Sequence, residues 1–206
     1  MADVILHGLP PSTYVRTARM VAAHKGVPYR LEPVDFRSDA YRALHPFGKI
    51  PAMTHGDVHL FEVLAIASYL DDSFDGPDIL PKDPKTRALA LQWVSATADY
   101  GYERLIRSCV IERITKPWRG LETDEAKVVA ARPLMKEYLD AVEAGLTSDY
   151  LAGDAVSLAD LTLAPILVYF ATTPEGQDML PQCPRLQAWR TRMEAMPDYA
   201  EINAMG

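Results

Sequence analysis

Apolar residues follow two rhythms along this chain, and the change between them marks its organisation. Val4-Ile5-Leu6 is a brief apolar run that ends at Gly8-Leu9-Pro10-Pro11, the pattern of a buried strand and a turn. Ser12 or Thr13 then caps a helix whose apolar residues include Val15, Ala18, Val21 and Ala22, with Arg16 and Arg19 on its more polar side. Lys25-Gly26 supplies the stop, a basic last turn followed by glycine. Tyr29–Val34 alternates and reads as a second strand. A strand, helix and strand of this length predict a parallel pair with a crossover helix. Arg37–Leu44 fits a short irregular helix.

Next comes His45–Leu70, HPFGKIPAMTHGDVHLFEVLAIASYL: a turn, a proline-bounded strand, a hairpin at His55-Gly56-Asp57, a return strand and an amphipathic helix. Asp, Gly and Pro then crowd between Asp71 and Pro84, which marks a boundary between a first domain at 1–76 and a second at 85–206. Beyond it the rhythm is helical almost throughout. Lys85 to about Ile114 is one long pattern with Ala88, Leu91, Trp93, Val94 and Leu105 among its apolar positions. Asp124–Gly145 is another helix, with Pro133 inside it. Ser157-Leu158-Ala159-Asp160 has the form of a capping box with Asp as its acid. The helix it opens, LTLAPILVYF, is apolar almost all round and therefore belongs in a domain centre. Short helices follow around Pro184–Met196 and Tyr199–Ala204.

Composition narrows the partners. With 206 residues, 49% hydrophobic and 24% charged, the chain is long enough to bury a core without disulfides. A net charge of -7 argues against nucleic acid as a default partner. Cys109 and Cys183 stand apart and suit reduced thiols in the cytoplasm. The start, MADVILHG, is too short and insufficiently basic for a signal peptide, and no apolar run predicts a membrane span. His55 and His59 flank the hairpin without a further ligand at useful spacing, so no metal is expected.

Two segments carry a resemblance. His45-Pro46-Phe47-Gly48-Lys49-Ile50-Pro51 followed by Leu60-Phe61-Glu62-Val63-Leu64-Ala65-Ile66-Ala67-Ser68-Tyr69-Leu70 resembles the glutathione-binding half of the cytosolic glutathione S-transferases. Gly153-Asp154 with Ser157-Leu158-Ala159-Asp160 resembles that family's second hallmark. The Pro10–Arg16 segment is similar to serine-type, bacterial-like members. The resemblance implies an α/β thioredoxin-like N-terminal domain with a four-stranded mixed sheet, an all-α C-terminal domain, and a homodimer. It implies glutathione as co-substrate and a small hydrophobic electrophile as the second substrate.

The resemblance also assigns roles. Ser12 stabilises the glutathione thiolate, whose free pKa of about 8.5 leaves it mostly protonated at neutral pH; on residues alone Ser12 reads as an N-cap, and it is the resemblance that turns the reading to catalysis, with Thr13 and Tyr14 as rivals. Ile50, before a cis Pro51, pairs with the cysteinyl backbone, Lys49 meets a carboxylate, and Glu62 with Val63 holds the γ-glutamyl end. Tyrosine-type enzymes place their hydroxyl near His7 or Gly8, and the first domain contains no cysteine for a cysteine-type site. His45 replaces the usual Asn and is read as structural. Val63 stands where Ser or Thr is usual, which removes one hydroxyl donor. That change either weakens glutathione or marks a site that has drifted from it. Asp99, Tyr100, Tyr102 and Arg104 fall on the helix that lines the electrophile pocket in the family, and Trp93, Trp118 and Trp189 are assigned to core or interface. An isomerase, a dehalogenase or a non-catalytic binding module remain alternatives on the same scaffold.

Overall fold

The computed structural model describes residues 3–204; the expected domain limits at residues 1 and 206, and the first two residues of the stretch read for a signal peptide, lie outside them. The described residues divide into two compact units, Asp83–Ala195 and the segments on either side of it.

The first unit is built on a four-stranded sheet. It contains β1 (Val4–His7), α1 (Thr13–Lys25), β2 (Tyr29–Glu32), α2 (Asp39–Arg42), β3 (Ala52–His55), β4 (Val58–Phe61) and α3 (Val63–Ser73). Strand order is β2-β1-β3-β4. β1 and β2 are parallel, while β3 runs antiparallel to both β1 and β4. Alternation explains the burial: Val4 and Leu6 of β1 are covered, as are Val15, Ala18, Val21 and Ala22 of α1 and Ile66, Ala67 and Leu70 of α3. α1 and α3 pack on each other beside these strands. Gly26 ends α1 in the left-handed conformation, φ 69°, where its N–H meets the Ala22 and Ala23 carbonyls.

Two features of this unit depart from the sequence reading. Arg16, expected on the polar side of α1, is only 2% exposed. Its guanidinium turns inward because backbone carbonyls of Pro10, Asn203 and Ala204 accept its N–H groups there. The second feature is the chain's return: Met196–Ala204 groups with the first unit and not with the helices before it. α10 (Tyr199–Ile202) lies against α1 with Tyr199 and Ile202 buried. The Asp71–Pro84 stretch is also held rather than loose. Asp71 accepts from the Ile79 and Leu80 amides and pairs with buried Lys25 at 3.0 Å.

The second unit is helical. It comprises α4 (Pro84–Ala96), a π-helical continuation at Thr97–Thr115, α5 (Lys116–Trp118), α6 (Glu125–Gly145), α7 (Leu158–Phe170), α8 (Pro174–Met179), a 3-10 turn at Leu180–Gln182 and α9 (Pro184–Glu194). α7 is its centre, buried along most of its length and packed on α4, the π-helical stretch and α9. The capping box forms as the spacing predicts. In the π-helical stretch Gly101 lets Tyr138 of α6 approach, since a Cβ there would lie 2.6 Å from the tyrosine ring. The same tyrosine hydroxyl meets Thr97 Oγ1 at 2.9 Å.

Near the end of the π-helical stretch, Glu112 is buried with Lys116 at 2.6 Å and Lys127 at 3.1 Å, and it accepts from the Asp124 amide. Burial alone raises a carboxyl pKa, but these three donors outweigh it and pull Glu112 from 4.5 to about 2. A depressed folded-state pKa gives stability that is complete above the unfolded value and lost as pH falls through the folded one. Wild type therefore melts above Glu112→Gln at pH 7, and thermal melts show that advantage shrinking between pH 4.5 and about 2.

Candidate functional site

Strand register gathers the predicted residues at one end of the first unit's sheet. His7, the last residue of β1, faces Ala52, the first of β3, and Ala52 faces Phe61, the last of β4. The chain leaving β1 toward Ser12, the Lys49-Ile50-Pro51 turn entering β3, and Glu62-Val63 leaving β4 therefore share that end. Alternating strand direction makes this unavoidable once the βαβ unit and the hairpin form.

Ser12 is the N-cap of α1, with φ -71° and ψ 127°. Its backbone is fixed on both sides, donating to the Leu9 carbonyl at 3.1 Å and accepting from the Arg16 amide at 2.9 Å. Its Oγ accepts from the Val15 amide at 3.4 Å, a long and weak bond. The hydroxyl is partly exposed and donates to no group among the described residues. It thus sits at the positive end of α1 with a proton to offer. Thr13 is buried, and Tyr14 is half-buried. His7 does not compete: it is buried at the end of β1, its Nε2 lies 3.0 Å from Thr54 Oγ1, and burial pushes its pKa down against the pull of Glu32.

The Ile50-Pro51 bond is cis, as the resemblance implies. Pro51 is buried while Lys49 is exposed and Ile50 half-buried. Among the described residues no hydrogen bond is made by the Ile50 N–H or carbonyl, so both are available to an added peptide strand. His45 proves structural through packing. It is 2% exposed, with its ring 5.0 Å from Phe61, 6.2 Å from Phe47 and 6.4 Å from Tyr41. Its carbonyl, not its ring, closes the turn by accepting from Gly48. Burial lowers the His45 pKa, with the charge of Glu62 opposing and that of Lys49 adding, which places both charged residues within its electrostatic reach.

Glu62 adopts φ 70° and ψ 124°, one of two non-glycine residues with positive φ among those described. Such a conformation costs about 1–3 kcal/mol and persists where the surroundings demand it. It turns the chain directly from β4 into α3, whose N-terminus has no side-chain cap. Among the described residues the Val63, Leu64 and Ala65 amides, the first of α3, have no hydrogen-bond acceptor, and free amides at a helix N-terminus suit an anion. Sequence carries no mark of this strain, because the residue is an ordinary glutamate.

Asp99, Tyr100, Tyr102 and Arg104 belong to the helical unit. Arg104 lies 5.3 Å over the Tyr100 ring and bonds the Leu134 carbonyl and Glu137, while Asp99 accepts from Ser95. Burial raises the Tyr102 pKa. The tryptophans diverge: Trp189 is 1% exposed, whereas Trp118 is 83% exposed and is not a core residue of this chain. Among the described residues no group of three or more His, Cys, Asp or Glu side chains is arranged to hold a metal, and no helix is long and apolar enough to cross a membrane.

Comparison with known proteins agrees with this geometry. Residues 11–73 match the family model for the glutathione S-transferase N-terminal domain, and residues 97–197 match that for the C-terminal domain. Glutathione S-transferase F14 of Arabidopsis thaliana is 33% identical over 193 residues, covering 88% of this chain and 75% of that protein. Probable glutathione S-transferase GSTF1 of Oryza sativa subsp. japonica is 31% identical over 214 residues, covering 100% of this chain and 97% of that protein. Among solved structures, the theta class glutathione S-transferase from Xanthomonas axonopodis pv. citri with glutathione bound superposes with a TM-score of 0.89 at 28% identity, covering 100% of this chain and 99% of that one. Both halves are matched in chain order, and the mixed sheet and helical unit are those the family builds; the chain belongs to the glutathione S-transferase family.

Proposed function

We propose that this protein is a serine-type glutathione transferase, which joins the sulfur of glutathione to small hydrophobic electrophiles. The observation that carries the reading is the shared sheet end. There a free serine hydroxyl at a helix N-terminus, an unpaired backbone after a turn, and an uncapped second helix N-terminus stand together. These parts match a tripeptide with a thiol in its middle and carboxylates at its ends. The bacterial relative whose structure holds glutathione supports the same ligand.

In this reading the Ile50 N–H and carbonyl pair with the cysteinyl backbone, and Pro51 sets their direction. Lys49 meets a carboxylate of the tripeptide. Glu62 accepts from the γ-glutamyl ammonium, while the Val63 amide and the α3 N-terminus hold its carboxylate. Ser12 donates its hydroxyl hydrogen to the sulfur, which favours thiolate over thiol. The thiolate then attacks the electrophilic carbon. A carbon–sulfur bond forms, and either a leaving group departs with its electron pair or the adduct takes up a proton. Glutathione is consumed as the conjugate. Holding both reactants in place and lowering the thiol pKa supply the rate.

Residues 1–76 act as the glutathione-binding domain and the helices of the expected 85–206 domain as the electrophile and dimer domain, except for the Met196–Ala204 segment that returns to the first unit. The protein works in the cytoplasm as a homodimer. Exposed Phe47, at 68%, supports an apolar docking surface, and the buried free thiols Cys109 and Cys183 suit a reducing compartment.

Incubation with glutathione and an aryl halide, followed by mass spectrometry, tests the reaction. The conjugate accumulates as glutathione disappears. Halide released with glutathione returned intact identifies a dehalogenase instead. An isomerised substrate with glutathione intact identifies an isomerase when a double-bond isomer replaces the aryl halide, and glutathione bound without turnover of either favours a binding module. Val63→Ser restores a hydroxyl at the γ-glutamyl carboxylate. A hydrogen bond to a charged group is worth about 1.5–3 kcal/mol, so calorimetry should show glutathione binding roughly tenfold tighter.

A further inference from the structure

We propose that Arg16 is a positioning residue for Ser12, tying the C-terminal segment of the chain to the loop that presents the serine. Removing a guanidinium from water is costly, and a buried one persists only where its N–H groups are satisfied. Arg16 is 2% exposed. Nε donates to the Pro10 carbonyl at 3.1 Å, Nη1 to Asn203 at 3.4 Å and Nη2 to Ala204 at 2.8 Å. One planar group therefore joins two backbone segments almost the whole chain apart.

The connection to Ser12 is short. The Arg16 amide holds the Ser12 carbonyl, and the Ser12 amide is held by Leu9. With Pro10 fixed by the side chain, the loop from Leu9 to Ser12 is pinned from within by one residue. The far side of the fork is anchored as well. Asn203 donates Nδ2 to the Tyr199 carbonyl and to Met20 Sδ, and its own N–H to Tyr199. Arg19, one turn along α1, bonds Tyr29 Oη and reaches Glu201 at 3.8 Å. The tail thus serves as a rigid backing for the first turn of α1. Among the described residues Ser12 has only a long bond to Val15 to fix its own hydroxyl, so its direction depends on this frame. A small displacement of a catalytic hydroxyl has a large effect on rate.

The inference rests on the reading of Ser12 as the thiolate-stabilising group. The test is the pH profile of kcat and the ultraviolet titration of bound glutathione thiol, in wild type, Ser12→Ala and Arg16→Lys. Lysine keeps the charge but loses the fork that serves carbonyls on both segments. Arg16→Lys should raise the apparent thiol pKa by about one unit and lower kcat below that pKa roughly tenfold, with KM for glutathione nearly unchanged. Activity recovers as pH rises. If Ser12→Ala shifts the thiol pKa and Arg16→Lys does not, even with a lower Tm, Arg16 is structural only and the inference is overturned while Ser12 keeps its role. If Ser12→Ala leaves the pKa in place, the Ser12 reading falls and takes this inference with it. Hydrogen exchange on wild type serves if Arg16→Lys does not fold. Added glutathione should slow exchange at the 12–16 amides and at 199–204 together; slowing at the first alone overturns the coupling.

Discussion

Ser12→Ala should lower kcat/KM for conjugation at neutral pH by roughly ten- to a hundredfold, because a hydrogen bond to a charged group contributes about 1.5–3 kcal/mol and each 1.4 kcal/mol is tenfold. The loss belongs in kcat, since the Ile50 backbone and the α3 N-terminus still hold the tripeptide. It also shrinks at high pH, where the thiol ionises unaided. Removing the hydroxyl deletes an N-cap too, worth about 1 kcal/mol of stability. That bond is long at 3.4 Å, so the melting temperature should fall little while the rate falls much. Steady-state kinetics of Ser12→Ala and Tyr14→Phe separate the rivals. Loss in the first and none in the second supports the serine; the reverse pattern makes Ser12 a cap alone.

The largest stability effect is expected at Asp160, a residue with no part in the proposed chemistry. Its carboxylate is fully buried and accepts from the Leu151 amide at 3.0 Å, the Ser157 amide at 2.9 Å, Ser157 Oγ at 2.7 Å and Trp189 Nε1 at 2.8 Å. It thus joins the start of α7, the loop before it and α9. Asp160→Ala leaves these donors buried without an acceptor, each costing about 1–3 kcal/mol. A combined loss of about 3–5 kcal/mol is a large share of the 5–15 kcal/mol typical of a folded domain. For a unit of this size it lowers the melting temperature by roughly 15–20 °C. Asp160→Asn, which keeps one acceptor oxygen, should lose less. Calorimetric melting of both variants checks the order. Equal melting of Asp160→Ala and wild type would show that the network contributes nothing.

The elements that were legible in the sequence are those whose local signals and burial agree. Val4-Ile5-Leu6, the Ser12 cap, the Gly26 stop and the Ser157–Asp160 box each carry a local chemical reason, and each forms. The cis proline was legible only through the resemblance. What escaped notice depends on distant partners. Arg16 looks polar on a helical wheel, but its acceptors lie at Asn203 and Ala204, beyond any window of local periodicity. The π-helical stretch shifts which residues share a face after Ala96, so a 3.6-residue period does not run through it. Ala88, before that shift and in α4, is exposed, while Val94 and Leu105 are buried. α8, six residues long, is too short to show a period at all. At the candidate site, Glu62's positive φ is set by the turn from β4 into α3 and leaves no trace in composition.

The central claim is that the sheet end at Ser12, Ile50 and Glu62 binds glutathione and ionises its thiol. Ultraviolet titration of wild-type protein saturated with glutathione, followed from acid to alkaline pH, addresses it most directly. The account predicts a thiolate signal that saturates with protein and titrates at least one unit below the free thiol value of about 8.5. A signal that titrates at the free value, or none that depends on the protein, would contradict it.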